Sequence, residues 1–419
     1  MRRCLSRRSP LLVVATLVAP FDAAESQAVR DSAGVEIIDN RSPGLSAARA
    51  WRIDPAPIVR IGGQQADSDT LNELNLVMGI TRLSDGRYAV GVQGSHTVRF
   101  YDGGGKYLGS AGRRGQGPGE FRQIMGVWRT RDDTLVVLDL GEIEIFTGAG
   151  KFVIQGASRA RGDRFVYPSV ILSDGSYLGV VYRETRTAPP AGRSRHSAPV
   201  VHVSRDGQQF DTVGTWLSHD EIFDGKQPWG TQVAFTSSSG LRGDDKRFFV
   251  SSPVKSEISE FTIAGKQTRL IRLPERGIKP SEEMIKAYRD WYLAMPGENG
   301  RPMPAAMDAR RKAALERTVF ADRLPSFGSM IVDGSGYLWV QRYDYRGTFF
   351  TPGPVRTQTT AATTRWDVID TNGRWITTVD LPARFTPVEI GTDYVAGLAR
   401  DEDEIEQVRV YRLRKPDSP

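Results

Sequence analysis

Four histidines, one cysteine and an excess of arginine, 46 residues against 10 lysines, are what this 419-residue chain offers for chemistry. The lone Cys4 excludes a disulfide framework, a cysteine-held metal cluster and a Cys-x-x-Cys redox pair. His96, His196 and His219 fall on one side of the fold derived below, and His202 falls in a strand-like run. Three imidazoles around zinc with one open water position would make a catalytic centre. No metal-ligand spacing joins these three, and a loop histidine is usually a solvated side chain. No Gly-x-Ser-x-Gly elbow and no His-Glu-x-x-His pattern occurs, so the common hydrolase chemistries have no carrier. Gly112 to Gly119 lacks the Lys-Ser/Thr pair of a phosphate-binding loop and reads as a turn-rich connection. Arg161-Gly162-Asp163 spells an adhesion tripeptide that chance also produces. Asp401-Glu402-Asp403-Glu404 lacks the glycine and ligand spacing of a calcium loop.

Arginine is the stronger signal. Arg113, Arg114, Arg164 and Arg183 lie in glycine-, proline- and serine-rich connections, and Tyr343 and Tyr345 lie in another. Guanidinium forks hold carboxylate or phosphate through two parallel hydrogen bonds. These four arginines are therefore the candidate contacts for an anionic glycan, peptide or small molecule, with Tyr343 and Tyr345 as stacking surfaces. The competing reading is a codon bias that places arginine on any solvated surface.

The elements that must position these residues follow from an internal repeat. Val77-Met78-Gly79-Ile80-Thr81-Arg82 recurs as Ile124-Met125-Gly126-Val127-Trp128-Arg129. Each copy continues through an Asp-containing turn, an apolar strand, a strand ending in an aromatic residue, and a Gly-Lys turn. Short β-branched and aromatic runs separated by Gly and Asp turns are hairpins in series, and four strands per ~45 residues is the period of propeller blades. Weaker copies predict blade three from Val170, blade four from Gln232 to Phe235 onward, blade five from Ser329 and blade six from Thr386. The sixth shows only three strands at the C-terminus. Ile58-Val59-Arg60-Ile61 supplies its fourth, which closes the ring and leaves no edge strand.

The segment Gly112-Arg113-Arg114-Gly115-Gln116-Gly117-Pro118-Gly119-Glu120-Phe121, with Met125-Gly126-Val127, Asp139, Ile145-Phe146 and Gly150-Lys151, resembles the NHL-type six-bladed propeller repeat. The chain is similar in this to secreted bacterial six-bladed propellers. Glu142 and Glu144 depart from it, standing where Asn and Arg are common. The resemblance implies a fold; members bind peptide, RNA, carbohydrate or metal, few are enzymes, and fold does not decide function.

In a propeller, turns within the first and last hairpins of each blade share one face, and the remaining connections share the other. Here the first class is short and Asp-rich, and every long loop belongs to the second, which is where binding residues concentrate. One such connection, 274–327, predicts a helical hairpin between blades four and five. Ser281-Glu282-Glu283 begins one helix, with Met284, Tyr288, Trp291 and Met295 at helical spacing. Residues 305–323 form the second, anchored by Leu315, Val319 and Phe320. It acts either as a lid over the central channel or as cover for an apolar patch.

At the N-terminus Arg2, Arg3, Arg7 and Arg8 precede a short apolar run, Leu11 to Ala19, and small residues follow to Ala28. That is the layout of a secretory signal peptide, too short to span a membrane, with cleavage after Ala28 or alternatively after Ala23 or Ala24. Its removal takes Cys4 and lowers the formal charge from +6 to +4.

The sequence thus predicts an all-β fold: a six-bladed β-propeller closed by an N-terminal strand, with a helical hairpin insertion between blades four and five. Its parts are a signal peptide at 1–28, a loosely attached extension at 29–50, the propeller at 51–414 with its insertion at 274–327, and a loose tail at 415–419. Loop 351–364 is expected to be poorly ordered. The predicted protein is a monomeric scaffold exported to the periplasm or beyond, with no transmembrane segment, no cofactor and no nucleic-acid partner. The alternative is a metal-dependent lyase or hydrolase with Zn or Ca at the channel mouth, held by His96, His196 and His219.

Overall fold

The computed structural model describes residues 27–46, 49–63, 73–160, 164–182, 188–227, 230–294, 303–346, 363–400 and 405–416. Within them the chain opens with β1 (Gln27–Ser32), β2 (Val35–Asn40) and β3 (Arg52–Gly62). A first sheet follows from β4 (Val77–Arg82), β5 (Tyr88–Val92), β6 (Thr97–Tyr101) and β7 (Tyr107–Ala111). The second is β8 (Gly126–Arg129), β9 (Leu135–Asp139), β10 (Glu142–Phe146) and β11 (Phe152–Ala157). The third holds β12 (Arg159–Ala160), β13 (Arg164–Ile171), β14 (Tyr177–Tyr182), β15 (Gly192–Val203), β16 (Phe210–Phe223) and β17 (Thr231–Gln232). The fourth is β18 (Leu241–Gly243), β19 (Arg247–Ser251), β20 (Glu257–Thr262) and β21 (Gln267–Arg272), extended at its outer edge by β2 and β1. Helices α1 (Glu282–Ala294) and α2 (Ala305–Glu316) lead to the fifth sheet, β22 (Phe327–Val332), β23 (Leu338–Arg342), β24 (Thr364–Ile369) and β25 (Trp375–Leu381). The last is β26 (Phe385–Ile390), β27 (Tyr394–Arg400) and β28 (Glu406–Arg414), with β3 antiparallel to β28 as its fourth strand.

Six sheets among the described residues share six apolar clusters, one between each neighbouring pair. Each sheet is therefore covered on both faces, and its inner strands read as continuous apolar runs rather than alternating ones. Every residue of β5 and of β9 is buried. The outer strand β25 alternates buried with accessible positions. The first strands touch in sequence, β4 with β8, β13 with β18, β18 with β22, β22 with β26, and β26 back to β4. The arrangement is of the β-propeller type.

The short turns are organised by their aspartates. Asp85 accepts the Arg87 N–H, Asp174 the Ser176 N–H, Asp333 the Ser335 and Tyr337 N–H groups, and Asp370 those of Asn372 and Arg374. Other carboxylates reach across to a neighbouring sheet. Asp133 takes the Ser84 N–H at 3.0 Å, Asp245 takes that of Ser173 at 2.5 Å, and Glu389 takes that of Arg82 at 3.1 Å. Aspartate in these turns thus satisfies turn backbone, as its side chain favours, and latches neighbouring sheets.

Four expectations are corrected. The fourth sheet begins at β18, not at 232–235: Thr231–Gln232 pairs instead with β16 in the third sheet, and Leu241–Gly243 directly precedes the turn its hairpin needs. The second helix stops at Glu316, and the chain beyond it runs extended, with Ala234 bridging Phe320. The segment after residue 28 is not loose. β2 runs parallel to β21, and Ile38 and Asn40 are buried. Asn40 donates to the Gly373 carbonyl and accepts from the Trp375 N–H, and Gly44 and Leu45 donate to the Trp375 and Ile376 carbonyls. Residues 27–46 form a strap from the fourth sheet to the rim of the fifth. Lys415, assigned to a loose tail, sits 4.5 Å from the centre of the Trp51 ring and 3.4 Å from Asp333. Residues 1–26 and 347–362 lie outside the described residues.

Candidate ligand-binding face

The long connections gather opposite the Asp-rich turns. The one from β7 to β8 folds around a carboxylate of its own. Glu120 accepts the backbone N–H groups of Gly117 and Gln116 at 3.0 and 3.1 Å, and the Gly117 N–H first, then Arg113, hold its pKa below the usual range. The side chain of Phe121 is fully buried against Phe146 and fills the space beside Gly112, where a Cβ would meet its ring at 2.2 Å. The glycines make a concave array of N–H donors, an anion cradle already occupied by Glu120. Arg113 is spent on the same carboxylate at 2.7 Å, whereas Arg114 is exposed and makes no ion pair among the described residues.

Beneath this loop lies a group that composition does not reveal. Glu144 is completely buried, accepts the Gly119 N–H at 3.1 Å and the Gln155 amide at 2.7 Å, and neighbours Glu142 and Asp139. Burial, only partly offset by those two donors, raises its pKa to about 7. Arg122 bridges Glu142 at 3.0 Å and lies 3.6 Å from Asp139, whose carboxylate also takes the Arg122 and Gln123 N–H groups. The sequence signal for this cluster was the departure of Glu142 and Glu144 from the repeat pattern.

Across the face, α1 and the residues after β23 build an aromatic cluster. Phe235, Ala321, Leu324 and Val233 are its buried floor, and Met284, Tyr288, Trp291, Phe320, Tyr343 and Tyr345 pack on it half-buried. Tyr288, Phe320 and Tyr345 approach the Phe235 ring at 5.5, 5.3 and 6.2 Å. Tyr288 stacks on Tyr292 at 6.1 Å. The N-cap Ser281, through its hydroxyl on the Met284 N–H, and the acids Glu282 and Glu283 fix the start of α1, so its apolar stripe meets this floor. No residue of α1 is fully buried, so the stripe stays accessible at its margin. Two exposed guanidinium groups lie over rings of this cluster, Arg289 at 5.8 Å from Phe320 and Arg346 at 5.2 Å from Tyr345. Among the described residues, neither guanidinium has an ion pair. Sequence reading missed both arginines, although Arg289 adjoins Tyr288 of the helical stripe.

The structure keeps Arg113 and Arg114 in one connection and Tyr343 and Tyr345 in another. Arg164 lies in β13 with its side chain outside the described residues, and Arg183 lies outside them altogether. His96 ends a short turn at φ 53°, with its Nδ1 buried and without a hydrogen-bond partner. His196 is exposed and stands edge-on to Phe223 at 5.0 Å. The His219 side chain lies outside the described residues, and those residues include no group of three or more His, Cys, Asp or Glu poised around one metal position.

No protein-family model and no curated protein sequence matches the chain. Solved structures do. A member of the DUF4221 family from Bacteroides vulgatus superposes with a TM-score of 0.53 at 9% identity, over 88% of this chain and 99% of that one. A candidate exported protein from Bacteroides fragilis gives 0.46 at 12% identity, over 91% and 100% of the two chains. Virginiamycin B lyase from Staphylococcus aureus gives 0.37 at 9% identity, over 87% and 99%. At these identities the likeness is one of fold.

Proposed function

We propose that this chain is an exported six-bladed β-propeller, closed by β3 and carrying α1 and α2 as an insertion between blades four and five. It works as a binding scaffold for an anionic ligand, a glycan, peptide or small molecule, at the long-loop face. Export to the periplasm or beyond rests on the basic and apolar pattern of residues 1–28. Among the described residues no helix is long and apolar enough to cross a membrane.

The observation that carries the reading is the pair Arg289 and Arg346 over the aromatic cluster that includes Tyr343 and Tyr345. A guanidinium stacked on a ring uses its face and leaves its edge donors free for carboxylate or sulfate, while neighbouring rings receive the apolar side of a sugar or peptide. Arg114 is a third uncommitted cation on this face, and Arg164 and Arg183 remain candidates beside it.

Glycan and peptide arrays at low and high salt test the reading. Binding to acidic probes weakens with salt, and Arg289→Ala/Arg346→Ala lowers affinity tenfold or more. Salt-insensitive binding, or an unchanged double variant, overturns it. Metal analysis of the purified protein separates the scaffold from a metalloenzyme: near-stoichiometric zinc or calcium, lost in His96→Ala, favours the enzyme.

A further inference from the structure

The repeat sets an arginine at the same point of two neighbouring first strands, Arg82 at the end of β4 and Arg129 at the end of β8. Both lie at the short-turn end of the central axis, away from the long connections. The two strands are in contact: Val127 occupies the space left by Gly79 and Gly91, where a Cβ would meet it at 2.9 and 2.4 Å.

Among the described residues, the guanidinium of Arg82 has no hydrogen-bond or ion-pair partner. Its Nε is buried without a partner, and its Cζ lies 4.9 Å from the Tyr394 ring centre and 5.9 Å from that of Tyr88. Arg129 commits only Nη1, to Asp133 at 3.2 Å and the Thr130 carbonyl at 3.4 Å. Its Nε is likewise buried and unpartnered, and its side chain is 27% exposed.

The nearby carboxylates are occupied by other donors. Glu389 accepts the Thr81 hydroxyl at 2.5 Å, the Arg82 backbone N–H at 3.1 Å and the Tyr394 hydroxyl. Asp133 accepts the backbone N–H and hydroxyl of Ser84 as well as Arg129. Arg82 lies against the Tyr394 ring, and its strand β4 packs directly on β8, which ends at Arg129. Buried guanidinium N–H groups without acceptors are rare and costly. Two of them stand on adjacent strands, Arg82 held by packing alone and Arg129 by packing and one contact to Asp133, and form a prepared donor site.

We propose that Arg82 and Arg129 bind a small oxyanion, phosphate, sulfate or the carboxylate head of a larger molecule, at the short-turn end of the propeller axis. The site is independent of the long-loop face. Stacking between tyrosines of the first and last sheets fixes the plane of Arg82 and leaves its N–H edge for the anion.

The test uses the purified full chain titrated with inorganic phosphate, sulfate or acetate, each against sodium chloride at equal ionic strength. At least one oxyanion should raise the melting temperature saturably beyond the chloride control, and which one does so identifies the head group. Arg82→Gln and Arg129→Gln should each weaken its Kd tenfold or more in calorimetry. A response equal to chloride for all three anions overturns the proposal, as does a wild-type Kd in both variants. If Arg82→Gln fails to fold, Arg129→Gln at its partly exposed position decides alone. Arg289→Ala/Arg346→Ala should leave this binding unchanged, so the two sites fail or stand separately.

Discussion

A single buried carboxylate gives this protein a titration that its composition hides. Glu144 is penalised when charged, and its pKa stands at about 7 against 4.5 for a free glutamate. A raised carboxylate pKa means that the folded state binds the proton more tightly than the unfolded chain. The resulting stability is full below about pH 4.5 and is lost as pH rises through about 7. Glu144→Gln keeps an acceptor for the Gly119 N–H and cannot ionise. The variant should gain on the order of 2–3 kcal/mol over wild type at pH 8 and almost nothing at pH 4, measured by urea unfolding at the two pH values. Equal pH dependence in both proteins would dismiss this role for Glu144. The residue scale also explains why candidate contacts were only partly legible. Whether an arginine is free depends on where its acid lies. Arg113 finds Glu120 seven positions on, whereas Arg276 and Arg342 find the buried Asp367 at separations of 91 and 25. Residue type marked all of these arginines alike; only the fold shows which of them are committed to an acid.

At the scale of elements, the strands were readable wherever a run of four or more apolar residues met an Asp-Gly turn. β18 has three residues, Leu241, Arg242 and Gly243, and no such run, which is why its place fell to 232–235 instead. The strap of residues 27–46 was illegible for a different reason. Its partners are remote, with Glu36 joined to Arg269 across 233 positions and Asn40 to Trp375 across 335, and a parallel pairing leaves no turn signal between them. Asn40→Ala should cost roughly 1–3 kcal/mol, because it strands the buried Trp375 N–H and Gly373 carbonyl. A loss under 0.5 kcal/mol in denaturant unfolding would show the strap to be passive. Gln27 pairs with Asn40 and donates to the Trp375 carbonyl at 3.0 Å. A chain beginning at Val29 should therefore melt lower than one beginning at Glu25, which retains the whole of β1; equal melting temperatures would contradict this.

For the whole molecule, the two classes of carboxylate pull in opposite directions. Asp85 is held below its usual pKa first by the Arg87 N–H, Asp102 by the Lys106 N–H, Asp132 by the Thr130 hydroxyl and Asp206 by that of Ser204. Stability from these depressed groups is present above their unfolded value of 3.8 and is lost as pH falls through the folded values. Glu144 supplies the opposite slope. The melting temperature should peak near about pH 5 and decline on both sides, with Glu144→Gln removing only the alkaline decline. A scan in which the variant also loses the acid decline would contradict this division.

Ring closure by β3 has a consequence for how the protein is made. Asp54 meets Arg414 across 360 positions, so the strand that completes the last sheet is synthesised early and waits for the final one. At ribosomal speeds that wait is roughly 20–70 s. A product that terminates before β28 leaves β3 and β27 with bare edges, which are sticky and open to proteases. Pairing of β3 with β28 therefore distinguishes full-length copies from truncated ones by the strand edges they leave exposed.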